Sequence, residues 1–231
     1  MRMDIQLYYE ERGKGMPLIL LHGNGEDGTY FTSQLEEFSK DYRVIALDTR
    51  GHGRSPRGTG PFSLERFVED LKEFLDEKGI CRAILLGFSD GGNIALLFAL
   101  KYPSYVERLI LNGANLSPDG VKRSVQRPIE LGYAITGLFS AFSQRAARNR
   151  ELLGLMVKEP HIPPEKLGNL HMPVLVIAGT EDMIREDHTR QIASALPRGR
   201  LVLVAGDHFI ARKNCFEFNR AVREFLESQE I

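Results

Sequence analysis

Six short apolar runs punctuate the chain. Pro17 to Leu21 leads into His22 and Gly23, Arg43 to Leu47 into Asp48, and Arg82 to Leu86 into Gly87. Val106 to Leu111, Val174 to Ala178 and Leu201 to Ala205 complete the set. Continuous runs without polar alternation suit strands covered on both faces, and so a parallel sheet. Between them the period changes. Leu64, Phe67, Val68, Leu71, Phe74 and Leu75 recur at three- and four-residue spacings, which predicts an amphipathic helix, with Ser63 placed to cap it and Gly79 to end it. Ile94 to Leu100 is apolar all round and predicts a buried helix, and His188 to Leu196 and Phe216 to Leu226 predict two more. Asp4 to Glu10 alternates polar and apolar residues like a half-exposed antiparallel edge strand.

Strand–helix alternation predicts an α/β fold with a mostly parallel, doubly wound sheet in one domain spanning 1–231. Residues 115–171 break the rhythm. They read as helical from about Pro118 to Val157, then as a loop through Pro160, Pro163 and Pro164, and predict a small helical lid inserted late in the sheet. Leu138, Phe139 and Phe142 are expected to roof an apolar pocket or to serve as core. Within 116–150, Lys122, Arg123, Arg127, Arg145, Arg148 and Arg150 face only Asp119 and Glu130, six positive charges against two negative. A solvated helix face accounts for that surplus better than a substrate-attracting surface.

Composition narrows the class. The 231 residues are 42% hydrophobic and 26% charged, with net charge −1. A nucleic-acid binder would show a clustered basic surplus across the chain, so no nucleic-acid partner is expected. Cys81 and Cys215 form neither a disulfide framework nor a metal cluster, and are expected to be small buried residues. No apolar stretch reaches membrane-span length and no signal-peptide core is visible, so a cytoplasmic protein without a membrane partner is expected.

The sharpest chemical signal is Gly87-Phe88-Ser89-Asp90-Gly91, placed after a predicted strand and before a predicted helix. An abrupt strand-to-helix turn requires small residues two before and two after its apex. It lifts Ser89 to a helix N-terminus, where backbone N–H groups favour developing negative charge. A serine hydroxyl needs a base. Of six histidines, His208 in Gly206-Asp207-His208-Phe209 lies on a loop past the last predicted strand, at the sheet edge where such folds build sites. His161, His171 and His188 suit surface or packing positions. The base needs a carboxylate to fix its tautomer, and Asp182 in Gly179-Thr180-Glu181-Asp182 directly follows a strand, with Glu181 and Asp207 as rivals. The order Ser, Asp, His fits the α/β-hydrolase arrangement. The oxyanion donors are expected to be the backbone N–H groups of Asn24, in His22-Gly23-Asn24-Gly25, and of Asp90. No metal and no cofactor are expected.

Together with Asp48-Thr49-Arg50-Gly51-His52-Gly53-Arg54-Ser55, these signatures resemble the α/β-hydrolase fold superfamily over nearly the whole chain apart from the lid. Leu86 to Gly92, Lys101-Tyr102-Pro103-Ser104-Tyr105 and Asn112-Gly113-Ala114-Asn115 resemble its valacyclovir-hydrolase-like (biphenyl-hydrolase-like) branch. The resemblance implies a serine esterase acting on small-molecule esters, able to cleave α-amino acid esters, with Asp90 meeting the substrate's ammonium group. A carboxylate beside the nucleophile would favour cations by Coulomb attraction. It could equally face solvent or bond nearby backbone. Branch members usually begin with a hairpin whose first strand is here missing or reduced to Met1-Arg2-Met3.

Other chemistries remain open. Gly23-x-Gly25-x-x-Gly28 with Asp48 fits the dinucleotide fingerprint, but the oxyanion loop explains these glycines better. Dehalogenase chemistry is set aside, since the elbow carries serine and the chain has no Trp. Thioester cleavage, carbon–carbon bond hydrolysis and cofactor-free peroxidase chemistry use the same triad. A non-catalytic binding protein of this fold commonly lacks a triad member, whereas Ser, Asp and His are all present here.

Overall fold

A computed structural model of the chain describes residues 4–228. Seven strands form one sheet: β1 (Tyr9–Arg12), β2 (Pro17–Leu21), β3 (Arg43–Leu47), β4 (Ala83–Phe88), β5 (Val106–Asn112), β6 (Val174–Gly179) and β7 (Gly199–Val204), in the order β1-β3-β2-β4-β5-β6-β7. β1 is antiparallel to β3 and all other pairings are parallel. The eight α-helices of the described residues are α1 (Thr32–Phe38), α2 (Leu64–Glu77), α3 (Asp90–Lys101), α4 (Arg123–Phe139), α5 (Gln144–Lys158), α6 (Glu186–Ala195), α7 (Ile210–Lys213) and α8 (Cys215–Glu227).

The continuous apolar runs are explained by cover on both faces. In β2, Ile19 and Leu21 pack with Phe67 and Phe74 of α2 and Phe98 of α3. Leu18 and Leu20 face the opposite way, into Leu35 and Phe38 of α1 and Phe218 and Phe225 of α8. Neighbouring residues of a strand point to opposite faces, so only an all-apolar run satisfies both layers. The Ser63 hydroxyl accepts from Arg66 N at 3.2 Å and caps α2.

The edge strand lies later than its alternation predicts. Ile5 and Leu7 are buried in the core, so the alternation of Asp4 to Glu10 reports burial, while pairing begins at Tyr9. Asp4 instead meets Arg50, whose fully buried guanidinium is held bidentately by Asp70, with Nε–Oδ2 at 2.7 Å and Nη2–Oδ1 at 2.6 Å. Arg50 and Asp70 thus anchor the loop after β3 to α2. The expected remnant at Met1-Arg2-Met3 lies outside the described residues. Cys81 is exposed and Cys215 half-buried, contrary to expectation, because the first sits in the turn before β4 and the second in the opening turn of α8.

Between β5 and β6 the chain makes a helical insertion in which α4 packs on α5. Its neck is closed by Ile162 N donating to Leu116 O at 2.8 Å. Leu138, Phe139 and Phe142 are exposed and roof nothing. Gln126 is the buried residue of α4, its amide donating to Met156 O on α5 at 3.2 Å, so the face turned inward is not the apolar one. Among the described residues no helix is long and apolar enough to cross a membrane.

Candidate active site

The elbow between β4 and α3 places Ser89 at φ 53°, ψ −120°, and Ser89 is the only non-glycine with positive φ among the described residues. Such a conformation is unfavourable for an L-residue and persists where the surroundings over-determine it. Here Ser89 N donates to Asn112 O at 2.8 Å and Ser89 O accepts from Asn93 N at 3.0 Å. A Cβ on Gly87 would collide with the Gly91 carbonyl, and one on Gly91 with the Leu21 carbonyl, so close backbone approach dictates both glycines.

Asp182 follows β6 and His208 follows β7. His208 Nδ1 lies 2.6 Å from Asp182 Oδ1, which also accepts from Ile184 N at 2.9 Å, while Oδ2 accepts from Gly179 N at 3.3 Å. Both residues are buried, and His208 Nε2 is buried without a protein hydrogen-bond partner. The ring packs on Phe88 at 4.7 Å between centroids. Gly113, at φ +61°, makes room for it: a Cβ there would lie 2.7 Å from His208 Cε1. The rival acids are placed elsewhere. Glu181 is exposed, and Asp207 bonds Lys213 and caps Phe209 N. His161 and His171 are exposed, and His188 accepts from Leu116 N at 2.9 Å as a packing residue.

The loop after β2 runs beside the nucleophile, since a Cβ on Gly23 would stand 3.3 Å from Ser89 Cβ. His22 shapes this loop. Its Nδ1 donates to Gly23 O at 2.7 Å and its Nε2 accepts from Thr49 N at 3.0 Å, which fixes a neutral tautomer. Burial pushes its pKa down to about 4. His52, likewise buried and lowered to about 4, bonds the Arg50 carbonyl and braces the loop after β3. Asp48 spends both oxygens on backbone N–H groups, of Gly28 at 2.7 Å and Arg54 at 2.7 Å, so the acid of the dinucleotide-like spacing is an internal brace.

Asn24 and Asp90 flank Ser89. The Asn24 amide donates to Leu152 O of α5 at 2.7 Å, a contact no local sequence pattern signals. Asp90 is buried. One oxygen accepts from Asn93 Nδ2 at 3.3 Å and the other is buried with no partner, so the side chain neither faces solvent nor bonds backbone. Burial first, then repulsion from Glu159, raises its pKa to about 6. Glu159, an acid that the sequence reading passed over, accepts from Leu64 N at 2.8 Å. A cavity of about 660 Å³ opens between the loop after β3 and the insertion, lined by Arg57, Phe62, Tyr133, Arg148, Leu152 and Glu159 among others. Leu152, whose carbonyl accepts from Asn24, is in its wall, whereas Ser89, Asp90, Asp182 and His208 do not line it. Among the described residues no group of three or more His, Cys, Asp or Glu is placed to hold a metal ion.

Comparison with known proteins agrees with this architecture. Residues 16–134 match the α/β-hydrolase fold family. The chain is 28% identical to serine hydrolase BPHL of Homo sapiens over 250 residues, covering 96% of this chain and 84% of that protein. It is 27% identical to a putative carbamate hydrolase RutD of Caulobacter sp. (strain K31), covering 96% of each. A hydrolase structure from Pseudomonas aeruginosa PA01 superposes with TM-score 0.78 at 26% identity, covering 97% of this chain and 95% of that one. The chain is therefore a hydrolase of the α/β-hydrolase fold family.

Proposed function

We propose that the chain is a serine hydrolase cleaving small carboxylic esters through an acyl-enzyme. His208 removes the Ser89 proton, and Ser89 Oγ attacks the ester carbonyl. The backbone N–H groups of Asn24 and Asp90 receive the oxyanion, and Asp182 stabilises the imidazolium. His208 then protonates the leaving alcohol. Water, deprotonated by the same ring, releases the acid and restores Ser89. The observation that carries this reading is the state of His208: one ring nitrogen is held by a buried carboxylate, and the other is buried and free to accept a proton.

The reading extends to α-amino acid esters. The unpartnered buried oxygen of Asp90, next to the nucleophile, is the group that would receive an ammonium. Desolvated polar groups left without partners are costly, and a substrate donor would relieve that cost. The similarity to a serine hydrolase is in keeping with the serine mechanism.

The test is hydrolysis of matched p-nitrophenyl and α-amino acid esters by wild type, Ser89→Ala and Asp90→Asn. Ser89→Ala should abolish turnover of both classes. Asp90→Asn should raise KM selectively for the amino acid esters. Turnover that survives Ser89→Ala sinks the acyl-enzyme, and an equal loss on both classes in Asp90→Asn sinks the ammonium contact alone.

A further inference from the structure

The exposed face of α4 has no role in the chemistry above. Leu131, Ile135, Leu138, Phe139 and Phe142 follow helical spacing and form one stripe across α4 and the turn after it. They are 62%, 47%, 73%, 57% and 89% exposed, and make up most of the exposed large hydrophobic residues of the described chain. Contiguous apolar patches of this kind mark interaction surfaces. The stripe is bracketed by exposed basic residues, Lys122, Arg123 and Arg127 before it and Arg145 after it. From Lys122 to Arg150 the only acid is Glu130.

We propose that this face docks on an anionic lipid surface, with α4 lying in the interface and its apolar stripe sunk among the acyl chains. An apolar stripe flanked by Lys and Arg is the pattern of helices that lie in that plane, where buried apolar area and attraction to anionic headgroups act together. No spanning segment is needed. The opposite face of α4 is occupied by α5, so the stripe has no partner within the chain. Charge selects the lipid surface over a second copy. Two such helices crossing antiparallel would set Arg123 and Arg127 of one against Arg145 of the other, like charge on like charge. Docking would hold the cavity between the insertion and the loop after β3 near the lipid, where acyl-bearing substrates concentrate.

The test is co-sedimentation of the full chain with vesicles of equal parts phosphatidylglycerol and phosphatidylcholine, and with vesicles of phosphatidylcholine alone. Wild type should bind the anionic vesicles more tightly, by about tenfold or more. The variant Leu138→Ser/Phe139→Ser/Phe142→Ser should lose binding to both, and Arg123→Gln/Arg127→Gln should lose the preference for the anionic vesicles. Both variants should keep wild-type turnover of a soluble neutral ester, which shows that they are folded and separates this test from that of the hydrolase reading. Equal binding by wild type and the serine variant, or no binding by wild type, overturns the proposal. So does a vesicle-free dimer that the serine variant abolishes, because the face then belongs to a second copy.

Discussion

The side-chain amide of Asn24 donates to the backbone carbonyl of Leu152 at 2.7 Å, joining the loop beside the nucleophile to the helical insertion. The same residue supplies the proposed oxyanion N–H, so two substitutions separate its roles. Asn24→Ala removes the tether and keeps the donor; at roughly 0.5–1.5 kcal/mol for one hydrogen bond, kcat/KM should fall by about tenfold at most. Asn24→Pro removes the donor itself and should lower kcat by about 10²–10³. Steady-state kinetics on one p-nitrophenyl ester checks both, and equal losses would remove the backbone donor from the mechanism.

Ser89 carries the strain of the elbow. Glycine tolerates positive φ without a Cβ penalty, whereas alanine does not. Ser89→Gly should therefore raise stability by about 1 kcal/mol once the extra freedom of the unfolded chain is allowed for, while Ser89→Ala should leave it nearly unchanged. Both should be inactive. Urea unfolding at pH 7 measures the difference, and Ser89→Gly no more stable than Ser89→Ala would mean that the turn is unstrained.

Asp90 couples stability to pH. Its carboxyl is raised from 3.8 to about 6 by burial, so the folded state holds the proton more tightly than the unfolded chain. Its contribution is fully present below about pH 4 and lost as pH rises through about 6, a change on the order of 3 kcal/mol. Asp90→Asn cannot ionise. It should match wild type at pH 4 and exceed it at pH 7.5, provided that an ammonium-bearing ligand is absent. Thermal unfolding at the two pH values decides the matter, and a constant difference between the proteins would refute the linkage.

Arg50 predicts the opposite sign. Its guanidinium is wholly buried against Asp70, so Asp70→Ala strips the buried Nε edge of its partner, with Asp4 left on the other edge, and should cost about 3 kcal/mol. Asp4 bonds the same guanidinium from a partly exposed position, and Asp4→Ala should cost no more than about 1 kcal/mol. Chemical denaturation of the two variants checks the ranking.

What the sequence makes legible is what backbone geometry demands locally. The elbow is visible because a strand-to-helix turn around a serine requires Gly87 and Gly91. The neighbourhood of Asp182 and His208 is visible because each follows an apolar run of strand length. The two-sided sheet is visible in runs without alternation. Contacts between distant segments leave no such trace. Asn24 meets Leu152 across 128 positions. The proximity of Glu159 to Asp90 depends on how the insertion folds back. Helical period shows that Leu138, Phe139 and Phe142 lie together, but not which way α4 turns them. The alternation at Ile5 and Leu7 reports burial, which a paired and an unpaired extended segment share. Gly113 lies in the Asn112-Gly113-Ala114-Asn115 signature, yet only the position of the His208 ring reveals why it is glycine.

The neck between Leu116 and Ile162 gives the insertion a modular character. Its two ends are pinned to each other where they leave β5 and approach β6, and Val121 bridges to Ile184 just past Asp182, so the insertion meets the rest of the chain at one compact base. Loop-closure entropy grows only slowly with length, which makes additions beyond such a junction thermodynamically cheap. The outer turns of α4 and α5, between 127 and 147, can thus be lengthened, shortened or exchanged with least disturbance to the strands that carry Ser89, Asp182 and His208, because the contacts to Asn24, Gly51 and Ile184 lie outside that stretch. Substrate preference can then evolve by grafting, on a schedule separate from that of the chemistry.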